Sequence, residues 1–253
     1  RKYTILEVDD NRELRRYIKQ HVGKYYKVLE AKNGKEGCNM AVNHVPDLII
    51  SDIMMPEVDG LQMTHRVKDD IRTCHIPVIL LTARTNIQSK IDGLESGADA
   101  YIEKPFSIEH LQAQIQNLLD NRRKIRETFA NSPFVHSDSI AMNKSDKQFL
   151  AKLTEVIYKN ISNLDFNVDN LAEAMCMSRS SLLRKIKGIS ELTPNEFIRL
   201  IRLKRAAEIL QAGEYKVNEV CYFVGFASNS YFTKAFQKQF GILPKNFGKL
   251  ERG

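Results

Sequence analysis

The stretch LIISDIMMPEVDG, residues 48–60, decides how the first half of the chain is read. Leu48, Ile49 and Ile50 form a short, continuous apolar run that ends on Ser51 and Asp52, and Pro56 and Gly60 mark the loop that follows. Such a run suits a strand buried on both faces of a parallel sheet, and an acid at its carboxyl end suits a site at the sheet edge. Outward from it the pattern recurs in YTILEV (3–8), KVLEA (27–31), VILLTA (78–83) and AYIEK (100–104). Helix-patterned segments of roughly 10 to 15 residues separate these runs. Five strands alternating with five helices predict right-handed crossovers and a doubly wound α/β domain over residues 1–124. Glu7 is a discord, because the first strand should be apolar there.

The strand ends carry the chemistry. Asp9 and Asp10 follow the first strand, Asp52 the third, Thr82 the fourth and Lys104 the fifth. Three crowded carboxylates repel one another and favour a hard divalent cation such as Mg²⁺, while a lone ammonium and a hydroxyl suit phosphoryl oxygens. In that setting Asp52 can act as a carboxylate nucleophile toward phosphorus. Singly, each residue has a plainer role: a helix cap at Asp9 to Asn11, a solvated acid at Asp52, an exposed turn at Lys104-Pro105. Jointly, an acid pair, an acid, a hydroxyl and an ammonium at the ends of the right four strands point to one site.

The second half has another texture. After about Lys144 the apolar spacing is three and four throughout, in FLAKLTEVIYKNI (149–161), FIRLIRLKRAAEIL (197–210) and YFTKAFQKQF (231–240), which predicts helices alone over residues 145–253. The fifth helix of the first half continues through NRRKIRETF before NSPFVHSDS breaks it, so residues 125–144 read as helical extension and linker. Two segments echo each other: LAEAMCMSRSSLLRKIKG (171–188) and VCYFVGFASNSYFTKAFQKQFG (220–241) both read as helix, tight turn, then a Ser- or Asn-started helix with basic residues. A DNA-reading helix-turn-helix needs a second helix with polar and basic first turns and an apolar back. In the first copy Leu171, Ala172, Met175, Leu182, Leu183 and Ile186 supply packing positions, and Arg179, Ser180 and Arg184 share an exposed stripe. In the second copy Phe232 and Phe236 face inward, and Asn229, Ser230, Thr233 and Lys234 face outward. The basic connector between them, about 17 residues or roughly 25 Å of helix, suits two reading heads one DNA turn apart.

Composition bounds the function. The chain of 253 residues has 43% hydrophobic and 27% charged residues, an ordinary globular balance that excludes wholesale disorder. The net charge of +7 is uneven: residues 1–124 carry 19 basic and 18 acidic side chains, residues 125–253 carry 19 and 13. A basic bias confined to the helical half favours a polyanionic partner, here double-stranded DNA. Cys38, Cys74, Cys176 and Cys221 form no CxxC pair or His cluster, which argues against zinc and disulfides. No apolar run approaches the ~20 residues of a membrane helix and no leader opens the chain, so a cytoplasmic location without direct membrane contact is expected. Residue 1 is Arg and a strand pattern starts at once, which points to a piece of a longer polypeptide.

Residues 1–124, through VDDN, SDIMMPEVDG, LLTA, GADAYIEKPF and their mutual spacing, resemble a response-regulator receiver domain. The resemblance implies a flavodoxin-like sheet of order 2-1-3-4-5 and Asp52 as phosphoacceptor. It further implies Mg²⁺ bound by Asp10, Asp52 and the backbone carbonyl of Met54, with Asp9 acting mainly through water. Thr82 and Lys104 correspond to the phosphoryl-contacting pair, Tyr101 to an aromatic switch moving with Thr82, and Lys104-Pro105 to a cis peptide. Residues 145 to about 249 resemble an AraC-type DNA-binding domain, most clearly in VGFASNSYFTKAFQKQFGILP. That implies DNA contacts from Ser180, Leu183 and Arg184, and from Asn229, Ser230, Thr233 and Lys234. After Pro244 the pattern departs, with Phe247 and Gly248 where Tyr then Arg are usual. A receiver with this output resembles the C-terminal part of hybrid two-component sensors, which implies a histidine kinase partner, in the same polypeptide in that arrangement or separate from it for a free-standing response regulator. NSPFVHSDS reads as too irregular to transmit a rigid rotation, so phosphorylation is expected to act by favouring homodimers. Two other classes compete. An aspartyl-phosphate phosphotransferase or phosphatase would ordinarily carry a second acid two residues after the nucleophile, where Met54 stands; a phospho-switched protein or RNA interaction module would use the same receiver.

Overall fold

The computed structural model describes residues 2–83 and 97–247. Contacts divide the chain into two compact units that meet at Arg122 and Arg123.

In the first unit β1 (Thr4–Val8), β2 (Lys27–Ala31), β3 (Leu48–Asp52), β4 (Val78–Ala83) and β5 (Ala100–Lys104) form an all-parallel sheet in the order β2-β1-β3-β4-β5. Alternate residues feed two cores. Ile5, Leu48, Ile50, Ile79 and Leu81 pack beneath α1 (Arg12–Val22) and α4 (Ile108–Asn131), while Leu6, Val8, Ile49, Val78 and Leu80 pack beneath α2 (Gly34–His44) and α3 (Gly60–Asp69). Each central strand is thus apolar on both faces, as the unbroken sequence runs demand. The helix expected between β4 and β5 lies outside the described residues.

Glu7 is where sequence pattern and fold collide. It sits on β1 opposite Glu30 of β2, 1% exposed, and neither carboxylate oxygen has a hydrogen-bond partner. Burial, reinforced by the charges of Glu30 and Asp9, pushes its carboxyl up to about 9, so it is carried as the neutral acid at neutral pH.

The second unit contains a 3-10 turn (Ser137–Ile140), α5 (Lys144–Lys159), α6 (Val168–Ala174), α7 (Arg179–Ser190), α8 (Pro194–Ala212), α9 (Val217–Phe223), α10 (Asn229–Phe240) and α11 (Pro244–Phe247). The connector α8 starts with a Thr193/Glu196 capping box and Pro194 in its first turn, and it stops at Gly213 in the left-handed conformation. Its 19 residues correspond to roughly 28 Å of helix. Phe197, Ile198, Leu200 and Ile201 join one core with α5, α6 and α7; Leu203, Ala206, Ala207 and Leu210 join another with α9 and α10.

The segment 125–144, expected as helical extension and linker, continues α4 to Asn131 and carries two side chains into this unit. Phe129 and Ile140 are buried in the first of those cores, Phe129 stacking on Phe197 at 5.9 Å between centroids. The physical reason is that the extension keeps an apolar face beyond the first unit's edge and has a second core to bury it in. Irregular backbone after Asn131 is held by Lys204, whose ammonium donates to the carbonyls of Ser132 and Val135 and lies over the Phe129 ring.

Candidate phosphoacceptor site and helix-turn-helix pair

Parallel pairing brings the carboxyl ends of β1, β3, β4 and β5 to one edge of the sheet, and with them Asp9, Asp52, Thr82 and Lys104. Ligand atoms of Asp9, Asp10 and Asp52 lie within 4.8 Å of one another. Lys104 Nζ reaches Asp52 Oδ1 at 2.9 Å and Asp9 Oδ2 at 3.4 Å. Asp9 is buried and Asp10 exposed, so the cluster is walled by protein on one side and open on the other. Burial raises the Asp9 carboxyl above its usual range, with the Asp52 charge adding to the rise; the Asn11 amide and Lys104 pull in the opposite sense. One ammonium opposing three carboxylates leaves an all-oxygen donor set short of positive charge. That donor chemistry fits a hard divalent cation.

Local geometry explains the placement. Asn11 caps α1 by accepting from the Glu13 and Leu14 amides, while its own amide donates to Asp9 Oδ1 at 2.8 Å, so capping and acid site share one turn. The loop after Asp52 folds back until the Gly60 amide donates to Ile53 O at 2.9 Å. A Cβ at Gly60 would lie 2.1 Å from the Asp52 carbonyl oxygen, so only glycine allows this approach. The same loop carries Met54, 72% exposed, beside the cluster in sequence. Thr82 is buried at the end of β4 and its hydroxyl makes a long, 3.3 Å bond to the Ala83 carbonyl. Tyr101 is half-buried on β5 with its ring against the α2/α3 core, and Lys104-Pro105 is cis.

In the second unit the two sequence echoes have one backbone design. Cys176 and Gly225 both take the left-handed conformation, their amides donating to Glu173 O and Tyr222 O. The next amides, of Met177 and Phe226, reach back to Ala172 O and Cys221 O. Ser178 and Ser228 then cap α7 and α10 by accepting from the Ser181 and Tyr231 amides. Arg179, Ser180, Leu183, Arg184, Asn229, Ser230 and Lys234 are exposed and Thr233 is half-buried, whereas Leu182, Ile186, Phe232 and Phe236 are buried. Leu183 therefore does not pack on the first helix as the spacing suggested; at 41% exposed it belongs with the outward stripe. Arg179 is held by Asp169, its guanidinium 2.6 and 2.7 Å from the two carboxylate oxygens.

Several cations that the sequence reading passed over hold this unit together. Lys185, from the middle of α7, is fully buried and 2.6 Å from fully buried Asp146 of α5. Its signal was a lysine at the apolar spacing of Leu182, Ile186 and Ile189. Arg202 of the connector donates to Gly225 O at 3.2 Å and Asn163 O at 2.6 Å, tying the second turn and the approach to the first unit of helices to α8. Arg126 of α4 donates to the carbonyls of Gly188 and Ile189 and pairs with Glu191.

Comparison with known proteins matches one family in each unit. A response regulator receiver domain matches residues 5–116 and a helix-turn-helix domain matches residues 171–249. Histidine kinase P4 of Formosa agariphila is 42% identical over 246 residues, 97% of this chain but 18% of that protein, so the chain spans less than a fifth of this relative. The DNA-binding dual master transcriptional regulator RpaA of Synechocystis is 32% identical over 180 residues, 70% of this chain and 73% of that protein. The receiver domain of a signal transduction histidine kinase from Syntrophus aciditrophicus aligns with a TM-score of 0.46 at 33% identity, covering 47% of this chain and 91% of that one. Among the described residues no helix is long and apolar enough to cross a membrane.

Proposed function

Given that the chain belongs to the response-regulator family, a receiver followed by an AraC-type double helix-turn-helix, we propose that phosphorylation of Asp52 controls its sequence-specific binding to duplex DNA. The observation that carries this reading is the meeting of Asp9, Asp10, Asp52 and Lys104 at one sheet edge in a chain that repeats the same helix-turn-helix backbone twice. Asp9, Asp10, Asp52 and the Met54 carbonyl would hold Mg²⁺, which supplies charge neutralisation for phosphoryl oxygens. The Asp52 carboxylate oxygen forms the new bond to phosphorus as the phosphorus–nitrogen bond of a phosphohistidine breaks and the imidazole leaves with the electron pair. Lys104 holds a phosphoryl oxygen, and Thr82, whose hydroxyl makes a long bond to the Ala83 carbonyl, turns to another. Tyr101, one strand over and near in register, follows that movement. Such a switch alters a partner's affinity rather than turning over a substrate, so the chain is a regulator and not an enzyme in its own right.

Ser180, Leu183 and Arg184 would face one major groove, Asn229, Ser230, Thr233 and Lys234 the next, and Arg179 a flanking phosphate. The phosphoryl donor is a histidine kinase; the long match to Histidine kinase P4 supports a kinase in the same polypeptide. A homodimer of phosphorylated chains, working in the cytoplasm, completes the reading. The test has two arms. Acetyl phosphate with Mg²⁺ should label the chain once, and Asp52→Asn or excess chelator should abolish the label; persistence in that variant overturns the acceptor. Selection of genomic duplex fragments with and without beryllofluoride should enrich a common sequence more strongly in its presence; equal enrichment overturns phospho-control.

A further inference from the structure

In the helical unit a cavity of about 370 Å³ opens where three pieces of chain meet: the loop between α5 and α6, the first half of the connector α8, and the turn that leads into the second reading helix α10. Phe166, Ile198 and Phe226, all buried, give it an apolar lining, and Phe226 lies against the Tyr231 ring at 5.8 Å between centroids. Leu164 and Tyr231, 58% and 54% exposed, border it as large apolar side chains left in water. The charge on the lining has one sign: Arg199 and Arg202 contribute guanidiniums, and no carboxylate among the described residues lines the cavity. Arg202 is fixed by its surroundings. Its terminal nitrogens donate to Gly225 O at 3.2 Å and Asn163 O at 2.6 Å, and Gly225 comes so close that a Cβ there would lie 2.9 Å from the guanidinium carbon. Both acceptors are neutral carbonyls, and the buried Nε has no hydrogen-bond partner among the described residues. Burial accordingly pulls this guanidinium below the usual arginine range. Arg199, one turn earlier on α8, is exposed and makes a long, 3.5 Å bond with Tyr231 Oη, while nearby Glu196 is turned to the Thr193 cap.

We propose that this cavity is a binding site for a small organic anion, a carboxylate carried on an apolar ring or chain: the body lies among Phe166, Ile198 and Phe226, and the carboxylate meets Arg199 at the mouth, drawn by the Arg202 charge behind it. A concave site of this size, largely apolar with a few convergent donors, is the ordinary form of a small-ligand site. The guanidinium fork matches a planar carboxylate. A bare inorganic anion would gain nothing from the apolar lining and would leave Leu164 and Tyr231 in water. Because the lining comes from the approach to the first helix-turn-helix, the connector and the turn of the second, one occupant touches both readers. Its binding stabilises that arrangement by mass action, and so gives the helical unit a chemical input separate from the phosphoryl group. Neither Asp52 nor DNA takes part in this binding.

Titration of the full chain with benzoate and with octanoate, a ring and a chain on the same carboxylate, tests this without DNA or beryllofluoride. At least one of the two should shift the amide resonances of Gly225, Phe226 and Ala227 saturably and raise the unfolding temperature of the helical unit. The uncharged amide of the same acid should bind about tenfold more weakly, having lost the charge-assisted hydrogen bond, and inorganic phosphate should be weaker still. Arg199→Gln should weaken the carboxylate by about tenfold for the same reason, with the fold intact because the residue is exposed. Ala227→Phe, which adds a ring at an exposed position of the lining, should block binding by filling the mouth. No saturable shift with either carboxylate overturns the proposal, as does an amide that binds equally well or an unchanged affinity in both variants. Phosphate as strong as the carboxylates overturns it too, since that would mark a bare cationic patch of the kind a DNA phosphate uses.

Discussion

The two units bury charge in opposite ways. In the receiver, Glu7 lies on a central strand with no partner for either oxygen, and burial keeps it protonated. In the helical unit, Lys185 and Asp146 are as deeply buried but meet at 2.6 Å. A lone acid inside a sheet escapes its desolvation cost by keeping its proton; a lysine and an aspartate brought together from separate helices offset theirs by meeting each other. The lone acid demands little from its surroundings. The pair ties α7, the second helix of the first helix-turn-helix, to α5 at the start of the unit.

Breaking the pair should give the largest effect. Lys185→Met leaves Asp146 buried without its partner and should destabilise the helical unit by about 3 to 5 kcal/mol, read by denaturant titration. Replacing both, with Asp146→Leu added, should recover most of that loss, because no isolated charge remains. A double variant as unstable as the single one would show that Asp146 serves mainly the backbone amide of Met142, which donates to its Oδ2 at 3.3 Å.

The lone acid should respond to pH rather than to loss of a partner. With its carboxyl raised from 4.5 to about 9 in the fold, the folded state binds the proton more tightly than the unfolded chain does. The stability this contributes is complete below about pH 4.5 and declines as pH rises toward 9. At 1.36 kcal/mol per pH unit, ionisation of the unfolded chain costs the native receiver about 3 kcal/mol between pH 4.5 and pH 7. Glu7→Gln keeps the shape and removes the titration. Its stability relative to the native chain should therefore climb by about 2 to 3 kcal/mol from pH 5 to pH 7, measured on the receiver's unfolding transition. A constant difference across that range would mean Glu7 is ionised in the fold.

The contrast also explains what the sequence disclosed. Strand ends are fixed by a ladder of local rules, so the sequence runs stopping at Asp9, Asp52, Thr82 and Lys104 mark four residues that the parallel sheet sets along one edge. Two copies of helix, turn and Ser-capped helix were legible for the same reason. Long-range partners were not. Nothing in the neighbourhood of Lys185 names Asp146, and nothing near Arg126 names the carbonyls of Gly188 and Ile189, because those pairings depend on how helices far apart in sequence pack. In the segment 125–144, read as helical extension and linker from its continuing helix pattern and Pro133, the burial of Phe129 and Ile140 likewise depends on residues far away in sequence. Leu183 went wrong in miniature, an apolar residue at packing spacing that the structure turns outward.

The smallest effect concerns the third kind of charge pair, exposed Arg179 and Asp169. Their contacts are short, but both side chains are largely in water, where such pairs are worth about 0.2 to 1 kcal/mol. Asp169 also sits in the first turn of α6, where a carboxylate favours the helix dipole by a similar amount. Asp169→Ala should therefore lower the stability of the helical unit by about 1 kcal/mol at most. Its effect on DNA should have the opposite sign. Removing the carboxylate takes a negative charge from the reading face and frees a guanidinium, so affinity for any duplex should rise at low salt. The dependence of affinity on salt should steepen by up to about one released counterion, without a change in which bases are preferred. Arg184→Ala supplies the contrast: a base-reading residue should lose discrimination at one position while leaving the salt slope nearly intact. If Asp169→Ala instead weakens binding, with the salt slope unchanged, Arg179 acts by bracing α7 against α6, and the exposed pair joins Lys185 and Asp146 as part of the frame that holds the reading helix.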